Sequence, residues 1–363
     1  MVFLIYFLLC RNIVYGHFHK VNFSLINDDM MIDIKMNDND TKKKISISLF
    51  GSFSIIRDEI YNKTNSKTYI SIKNDRISFN GNDYVKYELI SDDLIMNELL
   101  INNFTFFYFN EYISSKSSLA FGSSFFYKNL SFVSHLYEHK IINKNEFGII
   151  FDDSNKGNLY LGGFTHDIKS NYDSVTMKIS PNYITWGCLV DGYYFNGERH
   201  NNSYYSFISA NSKEIIAPKD VYEDIKLEYM ENYINEGKCK VEKKNYKEYV
   251  YCDFIIVNEF KDIGFIISNR SYSIDKEDLF QCYYDNCRLL IHSNFDIGNI
   301  WVFGNSFIKK YPVSFSYENR TITIYSKKDE VIYRKEIRVY LIITAIILMI
   351  MSILVNLIIK YKN

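Results

Sequence analysis

The sequence predicts an all-β chain with short helices, long enough at 363 residues for two packed lobes, and ending in a transmembrane helix. Three observations predict it. Segments of alternating apolar and polar residues recur from Met31 onward, which is the period of a half-buried strand. Polar turns separate them, and Phe132 to Ile142 stands out with apolar spacing near 3.6. Finally, Val339 to Ile359 is apolar and carries no formal charge. Its length of about 21 residues, at a rise of about 1.5 Å each, crosses roughly 30 Å of hydrocarbon.

Composition places the body of the chain among globular proteins: 47% of residues are hydrophobic and 23% charged. A net charge of -1 gives no reason to expect a nucleic-acid partner. No zinc-finger spacing, P-loop or dinucleotide glycine motif occurs, so no cofactor or metal is expected. Glycine (15) and proline (3) are scarce, as in proteins from A+T-rich genomes. Asn and Asp then take over the turn positions.

Taken in order, Met1 to Gly16 holds a short apolar run, Val2 to Cys10, too short to span a bilayer, followed by the small residues Val14 and Gly16. This is the pattern of a signal peptide. Basic residues flank both ends of Val339 to Ile359, so the signal peptide decides orientation: the body is lumenal or extracellular, and Lys360 to Asn363 is cytosolic. The reading is a single-pass type I membrane protein of the secretory pathway. Of six cysteines, Cys10 leaves with the signal. An oxidising compartment favours disulfides among Cys239, Cys252, Cys282 and Cys287, in any of three pairings, with Cys188 left over. Eight Asn-X-Ser/Thr acceptors, from Asn22 to Asn319, are candidates for glycosylation. His135 and His139 lie four apart on the helical stretch, without a third ligand, and read as solvated helix residues.

The chain is organised around Tyr205 to Pro218, a strand, a polar turn Ser209-Ala210-Asn211-Ser212-Lys213, an apolar run and a proline stop. Upstream lie Leu159-Tyr160-Leu161-Gly162-Gly163 and Trp186 to Gly192; downstream lies Trp301-Val302-Phe303-Gly304-Asn305. This order and spacing resembles the C-terminal lobe of pepsin-like aspartic proteases of the A1 type, including the plasmepsin-like members. An earlier copy of the pattern, Lys44 to Ile56, centres on Gly51-Ser52 with apolar flanks, and Ser118-Leu119-Ala120-Phe121-Gly122 resembles the segment that crosses behind it. Ile77 to Asn82 resembles the flap hairpin, with Phe79 at the flap-tyrosine position. The resemblance covers Met31 to Ile324.

That resemblance implies a bilobal fold of two β-barrel-like lobes joined by an inter-lobe sheet. The boundaries it gives are signal peptide 1–16, N-terminal lobe 17–165, C-terminal lobe 166–326, stalk 327–338, membrane helix 339–359 and tail 360–363. It implies one bridge in the C-terminal lobe, Cys252 with Cys282 or Cys287. The family usually carries a prosegment before the first strand, and almost nothing separates Gly16 from that strand here. Most consequential, the family places an aspartate in each catalytic loop. Aligned on the loops, this chain has Leu49 and Ser209 there. Two carboxylates around one water titrate as a pair, one charged to take a proton and one neutral to give it. Leu49 has no proton to give, and no His or Lys adjoins Ser209 to activate its hydroxyl. Asp58, Glu59 and Glu214 are near in sequence but past the turns. The expected function is therefore a membrane-anchored pseudoprotease that binds a peptide or protein in a cleft formed by Phe50, Gly51, Phe79, Ala210 and Asn211. The alternatives are a structural or adhesive surface protein with a closed cleft, or a divergent active aspartic endopeptidase.

Overall fold

The computed structural model describes residues 18–36, 41–51, 53–78, 84–109, 116–122, 131–153, 155–179, 185–195, 197–244, 247–293 and 298–328. The expected signal peptide, the membrane helix 339–359 with its tail, and Phe79 lie outside them. Among the described residues no helix is long and apolar enough to cross a membrane.

The first lobe is built from β1 (His19–Ile26), β2 (Asp29–Lys35), β3 (Lys43–Ser48), β4 (Ile55–Arg57), β5 (Ile70–Ser78), β6 (Tyr84–Met96), β7 (Leu99–Phe109) and β8 (Ser118–Ala120). The hairpin β9 (Glu146–Phe151) and β10 (Lys156–Leu161) follows, then β11 (Tyr172–Lys178). The second lobe opens with β12 (Gly187–Val190), β13 (Gly192–Phe195), β14 (Glu198–His200), β15 (Tyr204–Ile208) and β16 (Ile215–Ala217). It continues through β17 (Cys239–Lys244), β18 (Lys247–Asp253), β19 (Ile263–Ile267) and β20 (Arg270–Ile274). It closes with β21 (Phe280–Tyr283), β22 (Asn286–Leu289), β23 (Ile291–Ser293) and β24 (Ile300–Phe303). Last come β25 (Val313–Ser316) and β26 (Thr321–Lys327), which return to β9 and β11 and tie the lobes into one sheet.

The alternation read in the sequence explains the strands. In β2, Met30, Ile32 and Ile34 are buried while Met31, Asp33 and Lys35 are less so. The helical stretch forms a shorter helix than its spacing suggests, Phe132–Glu138, because Lys140 turns into the left-handed region at φ 58°. His135 is a correction to the reading above. It is buried, packed edge-on against Phe104 and stacked on His139. Burial, reinforced by the His139 charge, lowers its pKa to about 4.

The two lobes repeat one motif. The strand order β2-β3-β8-β4-β7 in the first matches β12-β15-β24-β16-β23 in the second. In each, a strand enters (β3, β15), a six-residue loop turns it (49–54, 209–214), and the next strand leaves (β4, β16). A late strand (β8, β24) then threads between the two, parallel to the first and antiparallel to the second. Glycine permits the threading. A Cβ on Gly122 would meet the Gly51 carbonyl oxygen at 2.3 Å, and one on Gly304 would meet that of Glu214 at 2.3 Å. Both obstacles are backbone and have nowhere to yield. Gly304→Ala is therefore expected to lower stability by about 2–3 kcal/mol in urea unfolding, the cost of overpacking a tight interior.

Around Trp186 the lobes share a core. Its ring packs against Phe147, Phe315 and Tyr317, and its indole N–H donates to the Phe121 carbonyl in the first lobe.

Candidate functional site at the lobe junction

The loops are shaped by their own hydroxyls. Ser48 Oγ accepts from the Gly51 amide at 3.0 Å, Ser209 Oγ from the Asn211 amide at 3.3 Å, and Ser212 Oγ from the Glu214 amide at 3.1 Å. These side chain-to-backbone bonds close turns without proline. The late strands lock them: the Gly122 amide donates to the Gly51 carbonyl at 2.9 Å, and the Asn305 amide to the Ser212 carbonyl at 2.6 Å.

The first loop residues are Leu49 and Ser209, each directly after its entering strand. Leu49 is wholly buried in the hydrophobic core. Ser209 is also buried, its amide donating to the Phe303 carbonyl at 2.9 Å. Phe50 and Gly51 face a cavity of about 480 Å³ at the junction, and Asn211 reaches it from the second loop. Ala210 is buried; its carbonyl accepts from the Met30 amide at 3.3 Å and from Asn305 Nδ2 at 3.4 Å. The structure thus brings Phe50, Gly51 and Asn211 onto one cavity and places Leu49, Ser209 and Ala210 behind it.

Sequence reasoning missed the cavity's charged pair. Among the described residues, Asp29 is the only carboxylate that lines the cavity. Its Oδ2 lies 2.7 Å from Lys116 Nζ, and Asn211 Nδ2 donates to its Oδ1 at 3.2 Å. Asp29 sits on the β1–β2 hairpin, whose turn residues Asn27 and Asp28 have φ of 51° and 68°. That turn reaches into the second lobe, where Asn305 Nδ2 donates to the Asp28 carbonyl at 2.7 Å. The Asn-Asp-Asp run hints at the turn, but nothing in the sequence links it to Lys116. The walls carry the Phe50 and Phe53 rings and Ile55, and Phe50 meets Phe207 edge-on across the junction. A second cavity of about 580 Å³ shares the turn, between Asn27 and Asp28 on one side and Tyr251, Tyr283 and Arg288 on the other.

Behind the second loop lies a buried charge cluster. Glu214 accepts from His292 Nε2 at 2.8 Å and pairs with Lys247 at 3.2 Å and Arg288 at 3.1 Å. The other nitrogen of the wholly buried His292, Nδ1, faces the Ser293 carbonyl at 3.1 Å. Both partners are oxygen atoms, a carbonyl on one side and a carboxylate on the other. Burial alone would raise the Glu214 pKa; the His292 hydrogen bond and the three neighbouring charges outweigh it and bring it down to about 2.

The cysteines pair as Cys239–Cys252 and Cys282–Cys287. This corrects the expected bridge from Cys252 to Cys282 or Cys287. Each bond joins directly opposed residues of one hairpin, β17–β18 and β21–β22. Cys188 is free and buried beside Ser206, and burial pushes its thiol up to about 11. It should resist alkylation by iodoacetamide at pH 8 in the native state and react only after denaturation.

Paired lobes with a threaded loop in each, meeting at a cavity, define a bilobal β protein of the aspartic-protease architecture. Residues 53–326 match the eukaryotic aspartyl protease family, and the chain belongs to that family. The matched span begins just past Leu49 to Ser52 and contains the whole second loop. The fold is similar to that of the aspartic proteinase from Irpex lacteus, with a TM-score of 0.69 at 11% identity, over 86% of this chain and 98% of that one. No curated protein sequence matches the chain.

Proposed function

We propose that this chain is a membrane-anchored, catalytically inactive member of the family that binds a peptide or protein segment at the lobe junction. The observation that carries the reading is the state of the junction cavity: the one carboxylate among its described lining residues, Asp29, is held by Lys116 and Asn211. Acid–base hydrolysis of a peptide needs two carboxylates on one water, with their pKa values forced apart. The loop positions that would supply them hold Leu49 and Ser209, the first without a proton and the second with its hydroxyl accepting from Asn211. Losing one member of such a unit typically costs on the order of 10⁴- to 10⁶-fold in rate.

What remains suits recognition. Two adjoining cavities along the β1–β2 turn offer aromatic faces at Phe50 and Tyr283 beside amide groups at Asn211 and Asn286. Apolar walls with a few polar anchors, as in the first cavity, are the usual make-up of a ligand site, and the second cavity adds mostly polar side chains. Their volume favours an open cleft over one filled by its own side chains. The two disulfides are bonds that persist in an oxidising compartment. This supports a lumenal or extracellular body, with residues 339–359 as its single anchor in a type I orientation. The test is binding of the full chain to a displayed peptide library, read as enrichment of a sequence motif. Phe50→Ala should abolish that enrichment with folding unchanged. Enrichment that survives Phe50→Ala and Asn211→Ala together would move the binding site elsewhere.

A further inference from the structure

The four bonded cysteines stand on one rung. In the sheet of order β17-β18-β22-β21, Cys239 is opposite Cys252, Cys252 opposite Cys287, and Cys287 opposite Cys282. Directly opposed residues point their side chains to the same face of a sheet, so the four sulfurs share a face. The two bonded pairs have Cα atoms 4.1 and 3.9 Å apart, the close spacing of antiparallel pairs that do not exchange backbone hydrogen bonds. A residue directs its N–H and C=O to the same side of its strand. Cys252 and Cys287 therefore turn theirs toward each other, as a hydrogen-bonded pair with Cα atoms about 5.5 Å apart. That is inside the range of about 4.4–6.8 Å that a disulfide spans. By Cα spacing the unbonded middle pair is within a disulfide's span, although its Cβ atoms, as in any hydrogen-bonded pair, stand wider apart than those of the outer two.

Access differs along the rung. Cys239, Cys252 and Cys287 are buried, whereas Cys282 is exposed on the edge strand beside the fully exposed Tyr284. We infer that Cys282 is a thiol-exchange site, where a small-molecule thiol starts a transfer of pairing along the rung. The external thiolate attacks Cys282 Sγ, forming a mixed disulfide there; the Cys282–Cys287 bond breaks and its electron pair leaves on Cys287 Sγ. The Cys287 thiolate then attacks Cys252 Sγ, forming Cys252–Cys287, and the Cys239–Cys252 bond breaks with its electron pair on Cys239 Sγ, which takes a proton from water. Two disulfides enter and two leave, one thiol is consumed and one appears, and no oxidant or reductant is needed. The buried leaving thiolate has the next disulfide as its neighbour and no solvent thiol in reach, which directs the second step.

The experiment uses the full chain, treated with reduced glutathione under native conditions, quenched with N-ethylmaleimide and mapped by mass spectrometry without reduction. The expected products carry glutathione on Cys282, maleimide on Cys239 and a peptide linking Cys252 to Cys287, with loss of the Cys239–Cys252 peptide. Glutathione on Cys282 with maleimide on Cys287 and Cys239–Cys252 intact would overturn the transfer; absence of glutathione from Cys282 would overturn the site itself. Two variants test the same step without added thiol. Cys239→Ser leaves Cys252 as the odd thiol, and transfer moves it to Cys282. Cys282→Ser leaves Cys287 odd, and transfer moves it to Cys239. An odd thiol that stays on Cys252 in the first folded variant, or on Cys287 in the second, contradicts the inference.

Discussion

Glu214→Gln is expected to lower the stability of the protein by about 3–5 kcal/mol, the cost of breaking a buried ion pair from one side. The glutamate holds Lys247, Arg288 and the wholly buried His292 ring behind the second loop. Glutamine keeps the size but not the charge, and leaves the ring facing a neutral amide. The same cluster sets a pH dependence whose sign is fixed. The folded pKa of Glu214 lies at about 2, below its ordinary 4.5. Its contribution is complete above pH 4.5 and is lost as pH falls through 2. At about 1.36 kcal/mol per unit it amounts to on the order of 3 kcal/mol. Urea unfolding at pH 7, 4 and 2.5 reads both effects. The wild-type protein should lose stability across that series, and Glu214→Gln should lose less, having begun lower.

Trp186→Ala should cost about 3–5 kcal/mol, as deletions of large buried aromatics do. The indole is nearly inaccessible and fills the space between Phe147, Phe315 and Tyr317, where the inter-lobe sheet meets both lobes. Its N–H also holds the Phe121 carbonyl, one residue before the Gly122 thread. Trp186→Phe should recover much of the packing and leave that buried carbonyl without its donor, a smaller loss of about 1–3 kcal/mol. Trp186 and Trp301 are the only tryptophans and both are buried. A red shift of emission on unfolding therefore reports the transition, and in Trp186→Ala it reports Trp301 alone.

How much of this was legible in the sequence follows from distance along the chain. The second loop could be read because strand, turn, apolar run and proline are contiguous from Tyr205 to Pro218. The first loop was fainter, since its lock at Gly122 lies 71 positions beyond Gly51, and only the close approach of the two backbones shows why that residue is glycine. The Asp29–Lys116 pair, 87 positions apart, leaves no periodic trace. Neither does the Glu214 cluster, assembled from the second loop, β18, β22 and β23. The misjudged disulfide has a physical cause. Four cysteines on one rung put every neighbouring pairing within reach, so the count of residues between them decides nothing. His135 was misjudged because helical spacing alone does not say which flank of a short helix meets the core; Phe104 covers that flank from β7.

The account rests on a junction that binds peptides without cutting them. The most direct measurement is incubation of the purified protein with a broad peptide library between pH 4 and 7, read by mass spectrometry for new termini. The account predicts none above a buffer control, together with recovery of intact bound peptides. Cleavage that co-purifies with the chain, disappears in Asp29→Asn and is blocked by an aspartic-protease transition-state analogue would contradict it.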